Sequence, residues 1–192
     1  TVSSGDDRLR RRVEDRVDAE FTHRATEQFL VAHVAHDHVK AAFSDVGTLD
    51  VWRVAIKPGR PFAFARATVG GRSVRLFGLP GNPVSVFVTF ELFVRPVLRL
   101  LAGHARAFDR PERRVRLAEP MRGSDARITV ARVALAPDPD RPDGLVARAS
   151  GGQDSYMLHS LAAANGMLFI PPDVDLAAGA EAVAWVIRGR EA

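Results

Sequence analysis

The chain has 192 residues, no cysteine and a net charge of +4 at neutral pH, with 46% hydrophobic and 26% charged residues. This composition is typical of an ordinary globular protein, and the absence of cysteine excludes disulfide scaffolds, zinc ribbons and thiol nucleophiles. The uncharged run of residues 76–90 contains two prolines and is too short and too broken to span a bilayer. No apolar stretch of the secretory type opens the sequence, so a cytoplasmic protein without a membrane segment is expected.

The basic residues do not indicate a nucleic-acid partner. All of them except Lys40 and Lys57 are arginines, and they are interleaved with acidic residues along the chain. The sequence has no zinc-finger motif, no RRM signature and no basic groove studded with aromatic residues. Because net charge bears on solubility and steering and not on fold, no nucleic-acid binding is expected.

The first hundred residues combine helical and strand patterns. Residues 7–20 predict an amphipathic helix, residues 21–36 have no clear period, and residues 37–46 predict a second short helix that Gly47 ends. Three short β-rich runs follow, at 51–56, 62–69 and 73–79. Gly70-Gly71 lies between the last two runs and predicts a hairpin.

The segment LPGNP, residues 79–83, predicts the end of a strand and the start of a helix. Asn82 suits the N-cap, where its side chain can accept a hydrogen bond from a free backbone N–H, and Pro83 suits the first helical position. The following helix, 83–102, is apolar on all sides, which is typical of burial in a core or an oligomer interface. We expect Pro96 to kink this helix and Gly103 to end it.

The second half of the chain is β-rich. Residues 104–112 are predicted as a linker, and one short helix is predicted near 156–164. The predicted strands are 114–119, 127–136, 144–150, 167–171 and 182–188. Short strands separated by turns indicate a small sandwich or barrel. The chain is therefore predicted to contain two domains, 1–103 and 113–192.

Three cations surround one predicted strand end. Arg53 and Lys57 are four residues apart, so on a straight strand they share a face, and Arg60 follows the turn-forming dipeptide Pro58-Gly59. Fixed cations with convergent N–H donors form a site for a phosphate or another tetrahedral oxyanion. The alternative, that these are solvated surface charges, stays open for a single K-P-G-R segment.

Residues 50–103 closely resemble the molybdopterin molybdenumtransferases, the MoeA-type enzymes that include the C-terminal domain of gephyrin. The resemblance is carried by KPGRP and LPGNPVS at their observed separation, followed by a buried helix that ends in L-A-G. The tail from Gly151 to Val183 also resembles the last domain of the family, with Ser155, Ser160 and Asn165 at matching polar positions. The resemblance implies a partial doubly wound α/β domain followed by a small C-terminal β-barrel domain.

The resemblance also implies an activity, a cofactor and an assembly. Family members insert molybdate into adenylylated molybdopterin with Mg²⁺, release AMP and form homodimers. By this resemblance Lys57, Arg53 and Arg60 hold molybdate and phosphate, and Asp37 is an acidic residue on the metal side. Asp6 or Asp7 falls where the family has another acid. The remaining residues implied in binding are Pro80, Gly81, Asn82, Pro83, Ser85, Arg132, Ser155 and Ser160.

The sequence departs from the family in front of Asp37. The family has a glycine-rich segment there, whereas this chain reads FLVAHV from Phe29, and its bulky Phe29 and Leu30 are expected to obstruct a phosphate. The resemblance therefore covers the C-terminal half of such an enzyme, and a non-catalytic or truncated MoeA-like binding and dimerisation module is the alternative. The cluster His33, His36, Asp37 and His38 is a further candidate for Zn²⁺ or Ni²⁺, with solvated histidines as the alternative.

Overall fold

The computed structural model describes residues 28–32, 43–51 and 53–187. Their contacts form two units, an α/β unit within 28–54 and 59–108 and a barrel unit of 55–58 and 109–187. The predicted helix over 7–20 lies outside the described residues. Within the described part of the chain, no helix has the length and apolar character needed to cross a membrane.

The elements are labelled in chain order. The described strands are β1 (Gln28–Ala32), β2 (Gly47–Val51), β3 (Ile56–Lys57), β4 (Ala63–Val69), β5 (Arg72–Gly78), β6 (Glu112–Leu117), β7 (Met121–Arg122), β8 (Ile128–Pro137), β9 (Leu145–Ala149), β10 (Gly166–Ile170), β11 (Asp175–Leu176) and β12 (Glu181–Val186). The helices are α1 (Pro83–Thr89), α2 (Arg95–Leu101) and α3 (Leu158–Ala163), with a π-helical turn at Phe90–Val94. Residues 43–46 are also helical, at the end of the helix predicted over 37–46.

Four strands form the sheet of the α/β unit, in the order β1-β5-β4-β2. β4 and β5 are the predicted hairpin, and Gly70 and Gly71 have φ values of 58° and 77°. Only glycine adopts such angles readily at both central positions of a two-residue turn. β1 is parallel to β5, whereas β2 and β4 are antiparallel.

One expectation about this sheet is wrong, and one unassigned stretch contains a strand. β1, which includes Phe29 and Leu30, occupies part of the stretch 21–36 that has no clear sequence period. The strand predicted at 51–56 is wrong, since β2 ends at Val51 and residues 53–55 lie outside strands.

The helix after LPGNP begins at Pro83 as predicted, but its cap differs from the prediction and a π-helical turn interrupts it. Asn82 has the extended N-cap backbone, φ −78° and ψ 129°, yet its side chain makes no capping hydrogen bond. The irregularity is the π-helical turn in front of Pro96, in which the Arg95 N–H donates to the Phe90 carbonyl, five residues back. Because proline clashes with the carbonyl four residues before it, a widened turn accommodates Pro96.

Gly103 ends the helix as predicted. Its φ of 82° lies in the left-handed region, which favours glycine. The Gly103 N–H donates to the Leu100 carbonyl at 2.9 Å, and the His104 N–H donates to the Arg99 carbonyl at 3.0 Å. This is the Schellman arrangement, which satisfies carbonyls that the helix end leaves free. One face of the helical segment 83–101 packs through Val94 and Val97 on Phe62, which precedes β4, and on Phe64 and Phe77 of the sheet.

The barrel unit contains all five predicted strands and the predicted short helix. β10, β12, β6, β9 and β8 pair in that order, and β10 also pairs with β8, which closes a five-stranded barrel. Alternate residues point inward and form one apolar core. Its most buried members include Leu117, Val133, Ala147, Leu168 and Ala184.

A buried carboxylate organises the turn between β8 and β9. Asp138 accepts from the Arg116 Nε at 2.7 Å and from the Asp140 N–H at 3.0 Å, and its own N–H donates to the Gly144 carbonyl. The hydrogen bond from Arg116 is the main cause that lowers the pKa of Asp138 to about 2. The ionised form of Asp138 is therefore the one that the folded barrel stabilises.

We expect Asp138 to contribute to acid sensitivity. Because its folded pKa is below the ordinary value of 3.8, its contribution is complete above that value and is lost as the pH falls towards 2. Urea unfolding at pH 5, 3.5 and 2.5 should show a smaller loss of stability for Asp138→Asn than for the unmodified chain. Equal losses in the two proteins would contradict this prediction.

Candidate active site at one end of the sheet

One end of the four-stranded sheet gathers four chain segments. β4 begins there with Ala63, which pairs with Gly78 at the end of β5. β1 is parallel to β5, and its last residue, Ala32, pairs with the same glycine. β2 runs antiparallel to β4, so its last residue, Val51, lies at this end as well. Ligands of open α/β sheets bind at the carboxyl ends of parallel strands, which here are the ends of β1 and β5.

Two predicted site segments of the α/β unit adjoin this end of the sheet. Arg53 follows β2 by two residues, and Arg60 precedes β4 by three residues; both are exposed. The turn Pro80–Pro83 follows β5 directly and leads into α1. Topology therefore brings Arg53, Arg60 and this turn to the same end of the sheet, although they are separated in sequence.

The turn before α1 has an open backbone. Pro80 is buried, whereas Gly81, Asn82 and Pro83 are exposed. A Cβ built on Gly81 would meet no atom within 4 Å, so space for a ligand is available next to its backbone. Ser85 is buried in the first helical turn, where its carbonyl accepts a hydrogen bond from the Thr89 hydroxyl at 2.8 Å.

A closed loop joins the two arginines. The Arg60 carbonyl accepts hydrogen bonds from the N–H groups of Val54, at 3.1 Å, and Phe62, at 3.0 Å. Pro58 and Gly59 are buried, and Gly59 has a φ of 116°, which favours glycine. Because residues 53–55 lie outside strands and β3 begins only at Ile56, the interpretation that Arg53 and Lys57 share one face of a straight strand is wrong.

Lys57 belongs to the barrel unit. It lies on β3, which pairs in parallel with the start of β8, with Lys57 opposite Thr129. Its side chain is exposed. Lys57, a predicted oxyanion-binding residue, therefore lies on a strand of the barrel unit.

Arg132 is a completely buried cation of the barrel unit, 0% exposed. Its Nη2 donates to the carbonyl of Gly152 at 2.8 Å and to that of Asp154 at 3.3 Å, and its Nε donates to the Ser160 hydroxyl at 3.3 Å. Burial lowers the pKa of Arg132, and the Asp154 carboxylate acts in the opposite direction. The guanidinium therefore fastens the segment 150–160 to β8. Ser155 is partly buried in the same segment.

Two side-chain amides form the pair of backbone hydrogen bonds that a neighbouring strand would otherwise form with β8. The Gln153 amide accepts from the Arg132 N–H at 2.9 Å and donates to the Arg132 carbonyl at 3.1 Å. On the opposite edge, Asn165 accepts from the Leu135 N–H at 2.6 Å and donates to the Leu135 carbonyl at 3.0 Å. Gln153 is not among the predicted site residues, although it stands at the start of the matched polar motif, and that motif is the signal that could have identified it.

Several predicted ligands lie outside the described residues. They are Asp6, Asp7, His33, His36, Asp37 and His38. In the described residues, no group of three or more histidine, aspartate or glutamate side chains could hold a metal ion. The residues implied as Mg²⁺ ligands, Asp37 with Asp6 or Asp7, all lie outside this part of the chain.

The structure thus consists of an α/β domain followed by a small closed β-barrel. Residues 31–100 match a family described as a probable molybdopterin binding domain, and residues 114–187 match the MoeA C-terminal region, domain IV. Both parts of the chain are thus related to MoeA-type proteins. These matches place the chain in the molybdopterin molybdenumtransferase family, as a counterpart of the C-terminal part of its members.

Individual relatives support this assignment. Molybdopterin molybdenumtransferase 1 of Mycobacterium tuberculosis is 35% identical over 146 residues, which cover 73% of this chain and 33% of the relative. The molybdopterin molybdenumtransferase of Haemophilus influenzae is 45% identical over 67 residues, covering 35% of this chain and 16% of the relative. The solved MoeA protein of Pyrococcus horikoshii shares the fold, with a TM-score of 0.63, 24% identity and coverage of 94% of this chain and 41% of that one. The chain spans about a third of the length of the first of these relatives.

Proposed function

We propose that the chain acts in molybdenum cofactor biosynthesis, as the part of a molybdopterin molybdenumtransferase that inserts molybdate into adenylylated molybdopterin with release of AMP. The observation that carries this proposal is the gathering of Arg53, Arg60 and the open Pro80–Pro83 turn at the ligand-binding end of the sheet. The kinship to enzymes named molybdopterin molybdenumtransferase supplies the substrate class.

The proposed residues act by positioning and by neutralising charge. Molybdate and the phosphates of adenylylated molybdopterin are anionic, and charge builds up on oxygen as the phosphoanhydride breaks and AMP leaves. Arg53, Lys57 and Arg60 are proposed to stabilise that charge, because phosphoryl chemistry depends on fixed cations more than on covalent help from the protein. The backbone at Gly81 and the start of α1 are proposed to line the pocket, with Asn82, Pro83 and Ser85 beside them.

The proposal also assigns residues of the barrel to substrate binding. Arg132, Ser155 and Ser160 are proposed as contributions of the barrel to substrate binding, through the segment 150–160 that Arg132 fastens. Asp37, with Asp6 or Asp7, remains the proposed ligand set of Mg²⁺. We also propose that the chain forms a homodimer and acts in the cytoplasm.

Release of AMP tests this function directly. The purified chain is incubated with adenylylated molybdopterin and Mg²⁺, with and without molybdate, and AMP is quantified by chromatography. We expect release that depends on molybdate. Release that molybdate does not stimulate, or no release from a chain shown to be folded by circular dichroism, contradicts catalysis by this chain alone.

A non-catalytic binding and dimerisation module is the second candidate. This module predicts a dimer by light scattering together with molybdate binding but without AMP release. A monomer contradicts it.

A further inference from the structure

Three segments of the chain pair along the same edge of β8. β9 pairs with residues 133–137 of that strand, and Gln153 pairs with Arg132 on the same edge. β3 then pairs with Ile128 and Thr129, where the Ile128 N–H donates to the Ala55 carbonyl at 3.0 Å. Three separate parts of the chain thus follow one another along a single strand edge. β3 is therefore an added strand of the barrel, although it is only two residues long.

The two side chains of β3 differ in exposure to solvent. Ile56 is 7% exposed, whereas its neighbour Lys57 is exposed to solvent. Successive side chains of a strand point to opposite faces, so a shift of one residue along β8 would bury the lysine and expose the isoleucine. Burying an unpaired ammonium group is strongly unfavourable, which penalises the shifted register. The burial of Ile56 and the bond to Ala55 therefore determine the direction in which Lys57 points.

We infer that Ile56 is a positioning residue for the oxyanion site: by anchoring β3 on β8 it presents the Lys57 ammonium group to a tetrahedral oxyanion such as molybdate. This inference rests on the proposed function for the identity of the ligand. Because the Lys57 side chain starts from this strand, fixing the backbone of β3 limits the region that the ammonium group can reach.

The experiment combines amide hydrogen exchange with molybdate binding by equilibrium dialysis on the full chain. Ile56→Asp removes the apolar anchor, Ile56→Thr is a milder version for the case that the first variant does not fold, and Ile56→Val is the conservative control. We expect Ile56→Asp or Ile56→Thr to speed exchange of the Ile128 amide at least tenfold and to weaken molybdate binding at least tenfold. The Leu135 amide, bonded on the other edge of β8, should keep its protection, and Ile56→Val should behave like the unmodified chain.

A Lys57→Ala variant tests oxyanion binding by the lysine separately from the anchoring of β3 on β8. It should lose molybdate binding while the Ile128 amide stays protected, since the alanine leaves the backbone pairing of β3 intact. The inference is overturned if Ile56→Thr keeps full molybdate affinity, or if the Ile128 amide exchanges equally fast in the unmodified chain and in both disruptive variants. If the unmodified chain binds no molybdate, the proposed function and the ligand named here both fail, and the Ile128 amide still decides whether β3 is anchored.

Discussion

A Lys57→Ala variant is expected to lose at least about 100-fold of molybdate-dependent AMP release, the usual cost of removing one preorganised group that stabilises developing charge. The side chain is exposed and lies on a strand held by backbone pairing, so its removal leaves the packing unchanged. The melting temperature should therefore stay within about 2 °C of that of the unmodified chain. Initial rates of AMP release and thermal unfolding followed by circular dichroism measure the two quantities.

Matched variants make this prediction specific to the site. Lys57→Arg retains the positive charge and should recover part of the rate. Arg148→Ala removes another exposed cation of the barrel unit, on β9, and should leave the rate unchanged. A Lys57→Ala variant that turns over normally would show that the oxyanion site lies elsewhere. An equal loss in Arg148→Ala would show that only the general charge of the surface matters.

An Asn165→Ala variant is expected to lower the free energy of unfolding by about 3 kcal/mol, because it leaves both the N–H and the carbonyl of Leu135 without their partner. For a chain of this size that loss corresponds to a fall of about 6–12 °C in melting temperature. Asn165→Asp keeps the acceptor for the Leu135 N–H but replaces the donor by a second oxygen facing a carbonyl, so it should also destabilise. Urea unfolding at neutral pH measures both effects.

The control for Asn165 lies on the nearby helix. His159 is exposed on α3, and His159→Ala should change the unfolding free energy by no more than about 0.5 kcal/mol. If Asn165→Ala is as stable as His159→Ala, the amide does not replace a strand partner of β8 in solution. The polar position of the matched motif would then require another explanation.

The barrel was predictable from sequence because its signals are local. Its five predicted strands are short β-rich runs bounded by turn residues, as in 127–136, and both signals involve only neighbours along the chain. The hairpin at Gly70-Gly71 and the helix end at Gly103 were predictable for the same reason, since positive φ is available to glycine at little cost.

Other elements were not predictable because their causes are not local. β1 is a short apolar run whose identity as a strand depends on pairing with β5, far along the chain. β3 has two residues and no pattern of its own, and it is a strand only because the edge of β8 has room for it. Gln153 and Asn165 also take on their function only beside β8. The division into domains at 1–103 and 113–192, and the site residues themselves, stay predictions.

The sequence by itself determined the two-part architecture, the barrel strands and the membership of the two segments KPGRP and LPGNPVS in one family pattern. These follow from periodicity, turn residues and short motifs, all of which involve neighbours along the chain. Only the tertiary structure decided that Arg53, Arg60 and the Pro80–Pro83 turn share one end of a sheet, and that Lys57 is held by the barrel. Those facts depend on strand order and register, which are set by packing and pairing between residues distant in sequence.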